Sequence, residues 1–249
     1  MTEADSTAAF YARRGGRAAD WWTVLHPPYT LWHVSYVVLG AAVAPGRDWA
    51  ALGLSVLAFF LAVGVAAHAL DELSGRPLDT AISERALVVA AALALLGAVA
   101  LGVVGVFWKG HFNAALVVAI PVGTLLVVAY NMELFGGRLH NDLTFGLAWG
   151  GFPVLVGYLA QSPPYHVDVL AALAATAGGV GTSYAQRFLS TPARRLRRHT
   201  RDVSGTWVAD DGTATALDRA ALLAPLERAL RALSWSIPLI EAAAWLARV

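Results

Sequence analysis

The chain has 249 residues, 57% of them apolar against 14% charged, with a mean hydropathy of +0.57. That balance excludes an ordinary soluble domain and calls for lipid as a solvent. There is no cysteine, which excludes disulfides, thiolate metal sites and a cysteine nucleophile.

Residues 1–28 form an N-terminal segment that carries Arg13, Arg14 and Arg17. The apolar stretch after it holds His26-Pro27-Pro28 and lacks a small-residue cleavage site, so it is expected to be retained. Residues 29–249 read as a single all-α domain, a polytopic transmembrane helical bundle. Apolar segments at 29–44, 50–70, 86–107, 114–130, 143–160 and 167–189 each come close to the ~17–25 residues needed to cross the hydrocarbon core. Pro121 and Pro153 are expected to kink the fourth and fifth, and Gly178, Gly179 and Gly181 to permit close helix contact in the sixth. A further helix within 220–249 carries Glu227, Arg228, Arg231 and Glu241. It fits either a span or an amphipathic helix at the interface, giving six to seven spans.

Alternating spans put Arg13, Arg14, Arg17, Arg76, Arg85, Arg138 and the arginines from Arg187 to Arg201 on one side, leaving Arg47 and Lys109 on the other. The positive-inside rule makes the first side cytoplasmic, with a cytoplasmic N-terminus in the cell membrane. Polar loops at 71–85, 131–142 and 190–218 then share that face, whereas 45–49, 109–113 and 161–166 read as simple connections.

If the second helix runs on to about residue 73, His68, Asp71 and Glu72 lie on one face. Two carboxylates beside an imidazole suit a hard divalent cation, and magnesium typically takes one or two carboxylates plus phosphate oxygens. Arg76 stands close enough to meet the same anion. The competing reading is a solvated loop that stops the helix at Gly75 and Pro77.

The run from Arg187 to Arg201 is the most basic stretch. Beside a membrane it attracts anionic lipid headgroups at about 1 kcal/mol per basic residue. Alternatively, one or two of its arginines turn inward to grip a diphosphate bidentately. Residues 207–217 read as an exposed loop or short hairpin. Nucleic acid is excluded as a partner, because the arginines abut a span and lack interleaved stacking aromatics. Phosphate-binding glycine loops, serine elbows and paired zinc histidines are all missing.

The run Asp71-Glu72-Leu73-Ser74-Gly75-Arg76-Pro77-Leu78, with Ile82-Ser83 before the third helix, resembles the first signature region of the UbiA-type prenyltransferase superfamily. Tyr130 and Arg138 match the family's loop after the fourth helix, and Arg201-Asp202-Val203-Ser204-Gly205 is similar to its second acidic motif. Both motifs are eroded. Ala67 and His68 stand where Asn and the first Asp would be, Gly75 where a later Asp would be, and Thr206 where an Asp normally follows.

The resemblance implies a UbiA-like bundle acting on an isoprenyl diphosphate, with magnesium held by Asp71, Glu72 and Asp202. His68, Arg76, Tyr130, Arg138 and Arg201 would then border the substrate. It implies magnesium-assisted departure of diphosphate, with transfer to an acceptor or cyclisation. The erosion carries the alternative of a non-catalytic relative that binds a lipid or a partner protein.

Overall fold

The computed structural model describes residues 9–162 and 167–248; residues 1–8 of the N-terminal segment and 163–166 of the loop expected at 161–166 lie outside the described residues. The described chain is mostly helical. A short α1 (Arg17–Val24) leads into α2 (Pro27–Val43), which two prolines open with their φ already set for a helix. Then come α3 (Trp49–Leu73), α4 (Glu84–Val106), α5 (Ala114–Asn131), α6 (Asp142–Gln161), α7 (Val169–Arg198) and α8 (Arg219–Leu246). Each of these six begins on a side-chain cap, from Asp48, Ser83, Asn113, Asn141, Asp168 and Asp218 respectively, which takes up backbone N–H groups that would otherwise go unpaired.

Among the described residues, four helices are long and apolar enough to cross a membrane: α3, α4 with the turn to Gly110, α5 and α6. Leu93, Leu96, Val103, Val118 and Leu125 lie exposed along α4 and α5. Such a belt suits lipid and not water.

Two helix contacts rely on missing side chains. A Cβ on Gly40 of α2 would sit 1.9 Å from the Val154 carbonyl oxygen, and one on Gly157 of α6 would sit 2.2 Å from that of Val37. In the same way Gly150 of α6 approaches Gly179 of α7, where a Cβ would meet the Gly179 carbonyl oxygen at 2.3 Å. Of the three glycines expected to permit close contact in α7, Gly179 does so, while Gly178 and Gly181 face open space.

The first correction concerns α7. The helix does not stop where its apolar run ends near residue 189; it continues through Pro192 to Arg198, so the polar loop expected at 190–218 begins only after Arg198. Leucine, alanine and arginine are good helix formers, and charge alone does not end a helix. Beyond it, β1 (Thr206–Val208) and β2 (Ala214–Ala216) pair antiparallel as a hairpin with Trp207 opposite Thr215.

α8 runs beside α2 from one end of the bundle to the other. At one end Glu227 pairs with Arg197 and Arg231 lies over the Phe10 ring; at the other Arg248 donates to the carbonyls of Ala41 and Ala44. On that far face the short connections are tied together. Asp48 pairs with Lys109 at 2.6 Å and accepts from the Trp108 indole at 3.0 Å, while Gln161 bonds both backbone groups of Asp48.

Candidate functional site

Two departures from α-helical geometry shape the interior. Residues Phe60–Ala67 of α3 and Gly146–Gly151 of α6 are π-helical, a wide turn frequent at functional sites. Directly after the second, Pro153 has no N–H to offer the Trp149 carbonyl four residues back. That carbonyl accepts instead from His33 Nδ1 at 3.1 Å, which fixes the His33 proton on Nδ1.

Between these segments and the end of α7 lies an open polar cavity of about 1030 Å³. One wall comes from α7, with Arg187, Ser190, Arg194 and Arg197 at helical spacing and Arg198 alongside. The facing wall carries His26, His33, His68 and His140, four of the seven histidines in the chain. Asp71 is the one carboxylate among the described lining residues.

Two of the arginines are pinned from behind. Arg187 donates through Nε and Nη2 to Asp142 at 2.8 and 2.7 Å and lies over the Phe145 ring, and Arg197 holds Glu227 at 2.5 Å. Arg194 and Arg198 make no hydrogen bond or ion pair with any described residue, and both act electrostatically on Asp71. Three atoms of the wall are buried without a partner: His26 Nε2, Gln186 Oε1 and Arg197 Nε. Buried polar atoms are nearly always paired, so these three are positions that ordered water or a ligand can satisfy.

The histidines form part of an aromatic column. Tyr11 meets His26 at 5.0 Å, and His26 lies 4.5 Å from His68. His68 Nδ1 is 3.2 Å from the Gly64 carbonyl and 3.4 Å from Thr30 Oγ1. Burial, with His68 next, holds the His26 imidazole well below the usual histidine range, so it stands neutral at pH 7. Burial likewise raises the Tyr11 phenol, with Tyr29 adding to the effect.

Tyr130 stacks on His140 at 4.5 Å and meets Trp149 edge-on at 5.5 Å. Val63 and Trp149 belong also to a second, apolar groove of about 960 Å³ that continues between α3, α4, α5 and α6 past Ala62, Ala98 and Gly102 as far as Trp108. A cationic mouth therefore adjoins a greasy slot at two shared residues.

The expected site residues divide. Asp71, His68 and Tyr130 line the cavity. Glu72 does not: it is wholly buried, and its carboxylate accepts from Leu78 N–H, Thr80 N–H and Thr80 Oγ1 at 2.9, 3.0 and 2.9 Å. Arg76 donates to the carbonyls of Ile82 and Thr80 and clamps the same loop from within. Arg138, Arg201 and Asp202 are exposed and stand outside the cavity. Arg201 and Asp202 stand outside because the helix runs on to Arg198 before its chain reverses.

Sequence reasoning missed His26, His33, His140 and Gln186, and expected only one or two of the α7 arginines to turn inward. The signal was present in the spacing of Arg187, Ser190, Arg194 and Arg197, which keeps one helical face across the end of the apolar run.

The donors do not make a protein-built magnesium site. Among the described residues no group of three His, Asp or Glu side chains is placed to hold a metal ion, and Asp71 alone offers a carboxylate to the cavity. Compared with protein-family models, curated proteins and solved structures, the chain matches none.

Proposed function

We propose that this protein is an integral-membrane, UbiA-like prenyltransferase whose cavity takes an isoprenyl diphosphate, its head among the arginines and histidines and its tail in the apolar groove. The observation that carries the reading is the junction at Val63 and Trp149, where a polar cavity with four arginines opens onto a slot lined by alanine, leucine, glycine and phenylalanine. α2, α7 and α8 complete a seven-span bundle with the N-terminus and the cationic mouth cytoplasmic. The end-to-end course of α8 along α2 supports a crossing helix over one lying flat.

In the reaction, the allylic carbon–oxygen bond breaks, the diphosphate leaves with the electron pair, and the carbocation is captured by an acceptor or by a double bond of its own chain, with loss of a proton. Arg187 and Arg197, held from behind by Asp142 and Glu227, present fixed positive charge where negative charge develops. Tyr130, Phe145 and Trp149 line the cavity, where aromatic rings can stabilise a carbocation. Magnesium, which the family resemblance implies, would find Asp71 as the one carboxylate in the described lining.

A second reading, a non-catalytic relative that holds the same amphiphile, is favoured by that single carboxylate. Release of diphosphate from farnesyl and geranylgeranyl diphosphate by the detergent-purified protein decides between the two. Binding of farnesyl thiodiphosphate, measured beside farnesol, tests what they share. If the thiodiphosphate raises the melting temperature no more than farnesol does, both readings fail.

A further inference from the structure

We infer that the cavity grips its phosphate group with arginine and histidine side chains directly, without a divalent metal bridge. This rests on the reading above that the ligand is a phosphorylated amphiphile. The four arginines converge on one wall, and two of them, Arg194 and Arg198, have no hydrogen-bond or ion-pair partner among the described residues. Gln186 and Arg197 are 3% and 7% exposed, and each leaves an atom unpaired in the lining. Arg197 Nε is a donor suited to a phosphate oxygen, and His26 Nε2 becomes one on protonation.

A metal bridge needs clustered carboxylates, and here the supply has been diverted. Glu72 spends both oxygens on Leu78 and Thr80, and Asp202 stands in the exposed stretch after α7. Asp71 remains, facing Arg194, Arg198 and His140. In that company it is a counter-ion to the arginines, and it repels an incoming phosphate. Planar guanidinium groups bind phosphate bidentately and hold their charge at every physiological pH, so four of them replace what a metal ion would supply.

The role of Asp71 gives the test its sign. Binding of farnesyl thiodiphosphate to the detergent-solubilised protein is measured by calorimetry with millimolar MgCl₂ and with EDTA, with inorganic pyrophosphate and phosphatidic acid as parallel probes. Pyrophosphate reports the head alone, and phosphatidic acid reports whether any phosphate on an apolar tail suffices.

A direct grip predicts affinities that agree within about threefold with and without magnesium. It also predicts Asp71→Asn binding unchanged or tighter by about threefold or more, because a like charge is removed. Arg194→Gln and Arg198→Gln should each weaken binding about tenfold or more, through loss of a charge-assisted bond. Both arginines are exposed and without a described partner, so unchanged melting temperatures confirm that these variants fold.

Binding that requires magnesium and disappears in Asp71→Asn overturns the inference and leaves the phosphorylated-amphiphile reading standing. Binding indifferent to both arginine substitutions also overturns it. No binding of the thiodiphosphate in either buffer overturns both.

Discussion

Glu72 is the residue on which the motif-based expectation and the geometry part most sharply, and its replacement separates them. As a metal ligand it would matter to binding and little to folding. As the structure has it, the reverse holds. Its carboxylate is fully buried and accepts three hydrogen bonds that fold the chain from Leu78 to Thr80 back over the end of α3.

Glu72→Gln keeps one carbonyl oxygen, which still serves the two Thr80 donors, but turns an amide N–H₂ toward the Leu78 N–H. One donor loses its acceptor and faces another donor, at a cost of about 2 kcal/mol. Glu72→Ala strands all three donors. Leu78 and Thr80 are half-buried, so water recovers part of the loss, and the cost is about 4 kcal/mol. For a chain of this size each kcal/mol corresponds to about 2–4 °C. Thermal unfolding in detergent should therefore drop by about 4–8 °C for Gln and about twice that for Ala, while farnesyl thiodiphosphate affinity measured below the transition stays within about threefold for Gln. A Gln variant that melts like the wild type but loses magnesium-dependent binding would refute this account of Glu72.

Packing and binding elsewhere give sharper contrasts. Gly157→Ala drives a methyl group into the Val37 carbonyl and should cost about 2–3 kcal/mol, whereas Gly178→Ala, facing open space in α7, should be neutral or stabilising by up to about 1 kcal/mol; equal melting temperatures for the two would sink the close-contact argument. Ala98→Phe, which places a ring in the apolar groove, should weaken farnesyl thiodiphosphate about tenfold while sparing pyrophosphate; equal losses of both would show that tail and head do not occupy separate spaces. The buried His26 should make the protein acid-sensitive. The unfolded chain protonates there below about pH 6.5 while the folded imidazole stays neutral to much lower pH, so the unfolded state binds more protons and stability falls as pH drops from about 7 to 5. His26→Asn should flatten part of that fall in melting temperature, and an identical slope in both proteins would count against it.

Much of the bundle was legible because lipid leaves a coarse signature. The six apolar segments overlap α2 to α7, one helix each, and the caps at Asp48, Ser83, Asn113, Asn141 and Asp168 mark where five of these helices begin. The convergence of three polar regions was legible too: Asp71, His140 and the α7 arginines do meet in one cavity.

Which side chains turn inward was not legible from motif position. Arg76 and Glu72 are four residues apart near one helix end, yet neither reaches the cavity, because each satisfies backbone groups of the loop between them and α4. A reversing chain has many unpaired N–H and C=O groups, and the nearest charged side chain is taken for that purpose before it can serve a ligand. The arginines of α7 that line the cavity escape this fate because a helix satisfies its own backbone, and where Arg187 and Arg197 are held, their partners are the carboxylates of Asp142 and Glu227.

The same physics explains why the site sits where the helices are irregular. A regular α-helix presents a new face every turn and seals its backbone, so it can line a cavity but cannot widen one. The π-helical turns of α3 and α6 add residues without adding length, and their small members Gly64, Gly150 and Gly151 allow the neighbouring helix to come close on the other side. Trp149 shows the gain most directly. Its carbonyl, released by Pro153, fixes the His33 ring, while its indole stands at the border between the polar mouth and the apolar groove. Replacing Pro153 alone would return a donor to that carbonyl and free His33, loosening the wall without touching a charged residue. The cavity thus depends on backbone hydrogen bonds that are redirected from helix to side chain, and that is why a search for acidic motifs finds only its edge.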